Sequence, residues 1–309
     1  MSRLRVGVVG VGYLGKHHAR ILSSMPGVEL VGVVDTNMKR ATEVAADHGG
    51  RPMLDVRELD GRVDAVTIAV PTEKHLEIAR PFLAAGLPVL VEKPMAASLA
   101  EADEMIAAAA KADTRLAVGH TERFNPAVAV AREHLTDPRF IEVHRLGVFP
   151  ERSLDIDVVF DVMIHDLDVI LSVVKSDVTS IDAVGVPVLT EKFDIANVRL
   201  RFANGCMANL TASRISRDRV RKIRFFQPQA YLSIDYGAQK VEKYTLDRIL
   251  GIPKINGGEL PVTNEEPLAR ELADFVDAVK AKRAPMVDGE QGRRALALAD
   301  RISSTMTTV

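Results

Sequence analysis

Residues 5–15 read Arg5-Val6-Gly7-Val8-Val9-Gly10-Val11-Gly12-Tyr13-Leu14-Gly15, an apolar run that ends in a Gly-x-Gly-x-x-Gly turn. A helical pattern follows at once and continues to about Ser24. This order predicts a strand, a tight turn and a helix. The first glycine permits the sharp turn, the second lets the backbone approach a pyrophosphate, and the third lets the helix pack on the strand. The free N–H groups at the start of the helix then favour phosphate.

A second apolar run, residues 29–34, ends in Asp35, twenty residues after Gly15. An acidic side chain at this place can accept hydrogen bonds from an adenosine ribose, which favours NAD over NADP. Lys39 and Arg40 follow closely, so NADP stays open as an alternative. An ordinary glycine turn in an α/β sheet is the other interpretation of the motif. The dinucleotide contacts expected from this part of the chain are Gly10, Gly12, Tyr13, Leu14, Gly15 and Asp35.

Composition restricts the class of protein. The chain has 309 residues, 47% of them hydrophobic and 27% charged, which is ordinary for a globular protein of two domains. Its net charge of −2 gives no overall basic field for nucleic acid or an acidic membrane. No apolar run reaches the roughly 18–20 residues of a membrane span, and the first strand leaves no room for a signal peptide. With Cys206 as the single cysteine, we expect a cytoplasmic protein.

The first 120 residues alternate between strand and helix patterns. This alternation predicts an α/β fold whose N-terminal domain, residues 1–120, is a Rossmann dinucleotide-binding domain with a parallel sheet. Ser98 and Glu101 form a capping-box pattern at the start of one helix, Leu99–Ala112. Ligands of such sheets lie beyond the carboxyl ends of the strands. Besides the glycine turn, two stretches leave those ends: Val70-Pro71-Thr72 and Glu92-Lys93-Pro94.

The pattern changes at about residue 121, and we expect a second domain over residues 121–309 that binds substrate and forms an oligomer. Consecutive strand patterns joined by short connections predict an α+β domain with an open, mostly antiparallel sheet. Asn204-Gly205 lies between two such runs and predicts a hairpin. Residues 247–266 are rich in glycine and proline and are expected to form a loop. Two closing helices, Leu268–Lys282 and Gly289–Thr305, can pack back on the first domain.

The helical pattern over Asp157–Val174 combines an apolar surface with a polar stripe. Four polar residues at i, i+4, i+7 and i+11 share one face of this helix: Asp161, His165, Asp168 and Ser172. A polar stripe on a buried helix must face a polar network, a water channel or a ligand cleft. Since Asp161 precedes His165 by one turn, it can fix the orientation and tautomer of the imidazole. A structural network without catalytic function has about equal weight.

Lys93 is a second candidate for catalysis. It follows an apolar strand at the carboxyl end of the predicted sheet, and Pro94 denies it a helical conformation. A lysine over the nucleotide crevice can direct its ammonium at a substrate oxygen and stabilise a developing alkoxide. The alternative is a surface lysine paired with a carboxylate such as Glu92. From the residues alone the two interpretations have equal weight.

Weaker patterns are discounted. His17 and His18 lie on the first helix, where one of them can simply pack against the sheet, and His75 can line the cofactor groove. No second convincing His or Cys ligand accompanies His165, so we expect no metal site. The basic run 214–224 lacks interleaved aromatic residues, which favours a solvated or interface surface over a nucleic-acid site. One or two of its arginines can instead meet a substrate phosphate.

The glycine turn, Glu92-Lys93-Pro94 and Asp161-x-x-x-His165 occur in an order and spacing that resembles the glucose-fructose oxidoreductase / inositol dehydrogenase / MocA family. The resemblance covers the whole chain, and its ordered combination is more specific than any single motif. It implies an NAD(P)-dependent dehydrogenase acting on a CH–OH group. The catalytic set implied by the family is Lys93, Asp161 and His165. The implied groove residues are Pro71, Thr72, His75, Glu92 and Lys93.

A narrower resemblance is carried by Gly119-His120-Thr121-Glu122-Arg123-Phe124-Asn125-Pro126 and by residues 159–168. Both segments look like those of the family's UDP-N-acetylglucosamine 3-dehydrogenases. This implies oxidation at sugar C3 to a 3-keto sugar nucleotide, which a downstream pyridoxal-phosphate aminotransferase would use. Arg123, Asn125 and Asp168 are candidates for substrate contact.

Two alternatives remain at this point. One is an inositol or free-sugar dehydrogenase of the same family, and the other is an NAD-binding sensor that kept the fold and lost the chemistry. An open sheet with an apolar face usually needs a cover, so we expect a homodimer or homotetramer formed through the second domain. No nucleic-acid or membrane partner is expected.

Overall fold

The computed structural model describes residues 3–149, 156–249 and 252–308. Its contacts divide the chain into two compact units. The first unit holds residues 1–120 and 268–293, and the second holds residues 121–267 and 294–309. The boundary therefore runs through the last helix.

The first unit is built on a six-stranded parallel sheet in the order β3-β2-β1-β4-β5-β6. Its strands are β1 Leu4–Val9, β2 Val28–Val34, β3 Arg51–Met53, β4 Ala65–Ile68, β5 Val89–Glu92 and β6 Leu116–Gly119. The helices between them are α1 Gly15–Ser24, α2 Met38–His48, α3 His75–Ala84 and α4 Leu99–Lys111. This order is that of a Rossmann domain, with the change of direction between β1 and β4. The predicted N-terminal fold is confirmed.

Local sequence explains these elements well. The central strands read as apolar runs because both faces of the sheet are covered, and Val6, Val8 and Val66 are completely buried. The predicted cap of α4 is present: the Ser98 hydroxyl accepts a hydrogen bond from the Glu101 amide at 3.2 Å. The Glu101 carboxylate accepts from the amide of Ala97, one residue outside the usual capping box.

The second unit contains a nine-stranded sheet in the order β14-β13-β12-β11-β7-β10-β9-β8-β15. Its strands are β7 Phe140–Leu146, β8 Val178–Val186, β9 Ile195–Phe202, β10 Met207–Ser213, β11 Val220–Gln227, β12 Ala230–Asp235, β13 Lys240–Ile249, β14 Ile252–Leu260 and β15 Thr307–Thr308. The pairs β7–β10 and β8–β15 are parallel, and the other neighbours are antiparallel. The expected mostly antiparallel sheet is confirmed, as is the hairpin of β9 and β10 at residues 204–205.

One face of this sheet is covered by helices. These are α5 Pro126–Arg132, α6 Ile164–Val173 and the part of α8 Gly289–Thr305 that follows residue 293, whereas α7 Pro267–Ala281 packs in the first unit. Along β9 the side chains alternate, so that Val198 and Leu200 are buried while Arg199 is exposed. These buried residues share one apolar core with Leu167 of α6. A half-buried strand needs this period of two.

The structure corrects the expectation of a loop over residues 247–266. Most of this stretch belongs to the hairpin of β13 and β14, paired from Val241–Leu260 to Ile249–Ile252. Residues 250 and 251 lie outside the described ranges. Proline and glycine weaken a strand pattern, but β14 is an edge strand and needs hydrogen bonds on one side only. Pro253 is tolerated there for that reason.

Candidate active site

The glycine turn lies at the carboxyl end of β1, beside the end of β4. Gly10 has φ +81°, and a Cβ there would lie 2.6 Å from the carbonyl oxygen of Ala69. A Cβ on Gly15 would lie only 1.7 Å from the Gly10 carbonyl oxygen. A Cβ on Gly12, in contrast, would meet no atom of the described residues within 4 Å. Gly10 and Gly15 thus pack too tightly against the protein to accept a side chain. Space remains at Gly12, the residue that the motif assigns to a pyrophosphate.

Asp35 is held next to this turn at the end of β2. Its carboxylate accepts hydrogen bonds from the amides of Val11 (3.1 Å) and Asn37 (2.9 Å). The Arg40 guanidinium lies 3.3 Å away and is half-exposed, whereas Asp35 is buried. An acidic group and a basic group thus meet where an adenosine ribose is expected. The Asp35 carboxylate can accept from the ribose hydroxyls of NAD, and the Arg40 guanidinium can donate to the 2′-phosphate of NADP.

The other predicted groove residues vary in exposure. Tyr13 is 61% exposed, with the Lys16 ammonium 5.6 Å from its ring centre. Leu14 and Thr72 are half-buried, and Pro71 is exposed. Their side chains are therefore accessible at the carboxyl edge of the sheet.

His75 is another residue that was predicted to line the cofactor groove. It is buried, with Nε2 3.0 Å from the carbonyl oxygen of Val70 and Nδ1 3.3 Å from that of Met95. Burial lowers the pKa of His75 although both carbonyl groups act to raise it. A neutral ring carries one N–H and can donate to one carbonyl at a time. His75 therefore connects the segments that follow β4 and β5.

Lys93 follows β5, as predicted, and is half-buried. Its peptide bond to Pro94 is cis. The preceding Glu92 is buried and accepts hydrogen bonds from His18 Nε2 (3.0 Å) and from the Lys93 amide (3.3 Å). Burial raises the pKa of Glu92, but His18 and the neighbouring Lys93 outweigh it and hold the pKa below its ordinary value. Glu92 thus supports the backbone of Lys93 from inside the unit.

In the second unit Asp161 and His165 lie on consecutive helical turns of different geometry. Asp161 belongs to a π-helical turn, Val159–Met163, and His165 to the first turn of α6. Both side chains are half-buried. The single α-helix expected over residues 157–174 is therefore replaced by a π turn and an α-helix. π turns inside helices occur frequently at functional sites.

A buried ionic cluster holds α6, and its central residue was missed by sequence reasoning. The Arg145 guanidinium on β7 donates to Asp166 from Nε (2.5 Å) and Nη2 (3.0 Å) and to Glu122 from Nη1 (2.9 Å). Arg145 also lies 4.8 Å from the centre of the Tyr236 ring. Burial acts to lower the pKa of Arg145, but the carboxylates of Asp166 and Glu122 keep it well above its ordinary value. Asp166 is the residue after His165, so the cluster fixes the turn that carries this histidine.

Three residues predicted to contact substrate take part in similar buried contacts. Arg123 Nη1 lies 3.1 Å from the Asp168 carboxylate, with both side chains almost fully buried. Asn125 caps α5 by accepting from the amide of Ala127, and it donates to Glu122 and to the carbonyl oxygen of Tyr236. These contacts attach the segment 121–126 to α6. The residues of the polar stripe therefore differ in exposure: Asp161 and His165 are half-buried, whereas Asp168 is buried against Arg123.

The basic residues of the run 214–224 also differ in their surroundings. Arg214 is buried rather than solvated and donates to Asp194 (2.8 Å) and to the carbonyl oxygen of Ile156 (2.8 Å). Arg224 and Lys222 form cross-strand ion pairs with Glu142 and Asp235. The remaining arginines, at 217, 219 and 221, are exposed.

Neither a metal cluster nor a membrane-spanning helix occurs in the described part of the chain. Over residues 3–149, 156–249 and 252–308, no group of three or more His, Cys, Asp or Glu side chains is arranged to hold a metal ion. In the same ranges no helix combines the length and apolar character that a membrane crossing requires.

Comparison with known proteins adds family information to this geometry. Residues 4–120 match the model of an oxidoreductase family described as having an NAD-binding Rossmann fold. Residues 128–230 match the model of the GFO/IDH/MocA C-terminal domain. Together these matches span well over half of the chain.

Individual relatives cover nearly the whole chain. It is 39% identical over 302 residues to UDP-N-acetylglucosamine 3-dehydrogenase of Acidithiobacillus ferrooxidans, covering 97% of this chain and 96% of the relative. A solved structure of that enzyme superposes with a TM-score of 0.92 at 37% identity, covering 99% and 98% of the two chains. Inositol 2-dehydrogenase of Rhizobium meliloti is 26% identical over 96% of this chain and 95% of its own length.

Proposed function

The chain belongs to the GFO/IDH/MocA oxidoreductase family with its NAD-binding Rossmann fold, and we propose that it oxidises the C3 hydroxyl of UDP-N-acetylglucosamine to a ketone. The choice of this substrate rests on the 39% identity to a UDP-N-acetylglucosamine 3-dehydrogenase over 97% of the chain. Identity to the inositol 2-dehydrogenase of similar coverage is 26%. An inositol or free-sugar substrate is the second candidate.

Lys93 is the proposed electrostatic catalyst of the first unit. Its ammonium would donate a hydrogen bond to the reacting hydroxyl oxygen and stabilise the negative charge that develops there. The buried Glu92, which accepts from the Lys93 amide and from His18, supports this role by fixing the backbone that carries the lysine. A lysine can serve as a point charge of this kind because its ammonium is compact and lies on a flexible stem.

His165 is the proposed general base of the second unit. An imidazole nitrogen would accept the hydroxyl proton, since histidine changes its charge near neutral pH. Asp161, on the π turn that precedes α6, would orient the imidazole or a neighbouring hydroxyl. The ionic cluster of Arg145, Asp166 and Glu122 supports this assignment, because it restricts the turn that holds His165.

The dinucleotide would be held by the turn at Gly10, Gly12 and Gly15, with Asp35 at its ribose. The open space at Gly12 and the buried carboxylate of Asp35 fit this group. NAD, when bound, supplies the acceptor for the hydride of the alcohol carbon. The protein contributes position and electric field.

An oligomer and a downstream enzyme complete the proposal. The sheet of the second unit carries an aromatic row, with ring centres 5.5, 5.1 and 6.2 Å apart along Phe140, Phe226, Tyr231 and Tyr244. Phe226 and Tyr244 are more than a third exposed. This row supports a homodimer or homotetramer. Light scattering of the wild type and of Tyr244→Arg tests it by measuring the mass of each in solution.

A 3-keto sugar nucleotide is a suitable substrate for a pyridoxal-phosphate aminotransferase, which we propose as the downstream enzyme.

The function is tested by following the absorbance of reduced nicotinamide as it forms. The protein receives NAD or NADP together with UDP-N-acetylglucosamine, N-acetylglucosamine, inositols or free sugars, with a carbonyl trap to pull the reaction forward. Lys93→Met and His165→Asn are compared with Lys74→Met, which removes an exposed lysine that pairs with Glu77.

NADH formed with the sugar nucleotide, and lowered by about 10²–10⁴-fold in each of the two site variants, supports the proposal. Turnover of inositol alone selects the second candidate. Binding of NAD without turnover of any substrate contradicts an enzymatic function and selects the sensor. Equal losses in Lys74→Met would contradict the assigned role of Lys93.

A further inference from the structure

The loop 214–219 connects β10 to β11 across the carboxyl end of β7. Ser213 at the end of β10 and Val220 at the start of β11 both pair with Leu146, one on each side of β7. Gly147 donates its amide to the Ser213 carbonyl oxygen and accepts from the Ser216 amide, both at 2.8 Å. The loop is therefore fixed over the point where the chain leaves β7.

This loop carries cations that are not used by the fold. Arg217 and Arg219 are exposed, and the structure gives neither side chain a hydrogen bond or an ion pair with any residue of the described ranges. Their neighbours Lys222 and Arg224, in contrast, are neutralised by cross-strand carboxylates. Asp218 is the one acidic residue between 214 and 224. A fixed concentration of positive charge attracts anions.

Arg214 connects the same loop to the start of the helix that carries His165. Its Nη1 donates to the carbonyl oxygen of Ile156 at 2.8 Å, and its Nε to Asp194 at 2.8 Å. Ile156 precedes Asp161 by five residues and His165 by nine. Residues 156 and 157 lie directly before the π turn Val159–Met163, which leads into α6. The exposed arginines are thus attached at the end of the unit where this helix begins.

We propose that Arg217 and Arg219 bind the diphosphate of a nucleotide-linked sugar, an inference that rests on the proposed function. Guanidinium groups form paired, charge-assisted hydrogen bonds to phosphate oxygens. A sugar whose C3 hydroxyl is held at His165 carries its diphosphate on C1, two carbons away, so the two phosphate charges lie to one side of the reacting carbon. Inositols and free sugars offer these arginines no anion. The loop is therefore a determinant of substrate class.

The test measures binding and turnover with the full chain in the presence of NAD. Calorimetric titrations use UDP, UDP-N-acetylglucosamine and N-acetylglucosamine with wild type and with the double variant Arg217→Gln/Arg219→Gln. The matched control, Arg62→Gln/Arg132→Gln, removes the same charge from two exposed arginines elsewhere. We expect Kd for UDP and for the sugar nucleotide to rise at least about tenfold in the loop variant. NAD affinity stays unchanged, and the salt dependence of UDP binding becomes weaker.

Three outcomes overturn the inference: wild type that binds no UDP, a loop variant that binds UDP as wild type does, or an equal loss in the control variant. An equal loss would mean that net charge alone is responsible. The proposed function fails separately. If wild type binds UDP through the two arginines but oxidises only inositol or free sugars, the diphosphate site stands and the assigned reaction does not.

Discussion

The two units hold their functional side chains by different means. In the first unit, the glycine turn and Asp35 lie at strand ends, and the carboxylate of Asp35 accepts from the amides of Val11 and Asn37. In the second unit, Arg145 of β7 meets Asp166 after His165 and Glu122 from a third segment. Backbone geometry positions the glycine turn and Asp35, and buried charge pairs position the turn that carries His165.

This difference determines how each region responds to mutation. A side chain bonded to nearby backbone amides keeps its partners when another side chain is changed. A buried charge whose partner is removed loses most of its stabilisation and remains in a low dielectric. The second unit should therefore be the more sensitive to single changes of charge.

The largest effect is expected for Arg145→Met. The substitution leaves Asp166 and Glu122 without their shared cation, and breaking a buried pair costs about 3–5 kcal/mol. Thermal unfolding followed by circular dichroism measures the loss. Asp166→Asn in the same background should recover part of it, because it removes one uncompensated charge.

Arg224→Met is the matched control, since it breaks a pair with Glu142 in which both side chains are about one third exposed. We expect a loss below about 1 kcal/mol there. Equal losses for the two variants would show that the contrast between buried and exposed pairs is wrong.

An intermediate effect is expected for His18→Phe, which tests whether the first unit also depends on a buried pair. Glu92 would lose its hydrogen bond from His18 and keep that from the Lys93 amide, so the free energy of unfolding should fall by about 1–3 kcal/mol. His18→Gln retains a donor and should lose less. His17→Gln on the same helix is the control. If His18→Phe left the free energy of unfolding unchanged, the buried Glu92 would not depend on its hydrogen bond from His18.

A smaller, pH-dependent effect is expected at His75. Burial lowers its folded-state pKa below the ordinary 6.5, so below that pH the unfolded chain binds a proton that the folded chain does not. Stability is therefore lost as pH falls through about 6.5, by at most about 1.4 kcal/mol per pH unit. Urea unfolding of wild type and His75→Gln at several pH values measures the difference. A constant difference across this range would refute the lowered pKa.

The smallest effect is expected for Arg40→Ala. Arg40 pairs with Asp35 while half-exposed, so the contact contributes less than about 1 kcal/mol to stability. Removing the cation should lower kcat/KM for NADP by several-fold more than for NAD, because only NADP carries a 2′-phosphate. Steady-state kinetics with both cofactors checks this, with Lys39→Ala as the control. An unchanged ratio would exclude Arg40 from cofactor selection.

Much of the fold could be predicted from local patterns. The order of α/β units, the hairpin at residues 204–205 and the helix Gly289–Thr305 all follow from periodicity and turn residues. The loop expected over 247–266 was wrong because its residues are poor strand formers that an edge position nevertheless accepts. Edge position depends on the order of the whole sheet, which no short segment contains.

For the candidate site, the sequence predicted which elements carry the residues, while the roles of those residues stay predictions. The placement of Lys93 after β5 and of His165 on a helix agrees with the sequence patterns. Glu92 and His75 are both buried, and their place at the cofactor groove stays a prediction. The ionic cluster around Arg145 was missed because its members lie on separate segments whose pairing is invisible in the sequence. The one available indication was a density of charged residues in 122–125 and 166–168.

By itself the sequence determined the glycine turn, the acidic residue at the end of β2 and the alternation that makes the first sheet parallel. These features depend on backbone conformations and periods that a few consecutive residues specify. Only the tertiary structure decided that Arg145 pairs with Asp166, that Asp168 pairs with Arg123, and that the exposed arginines follow a buried one. The reason is physical: a charge takes its partner from whatever folding brings near it, and distance along the chain does not fix that choice.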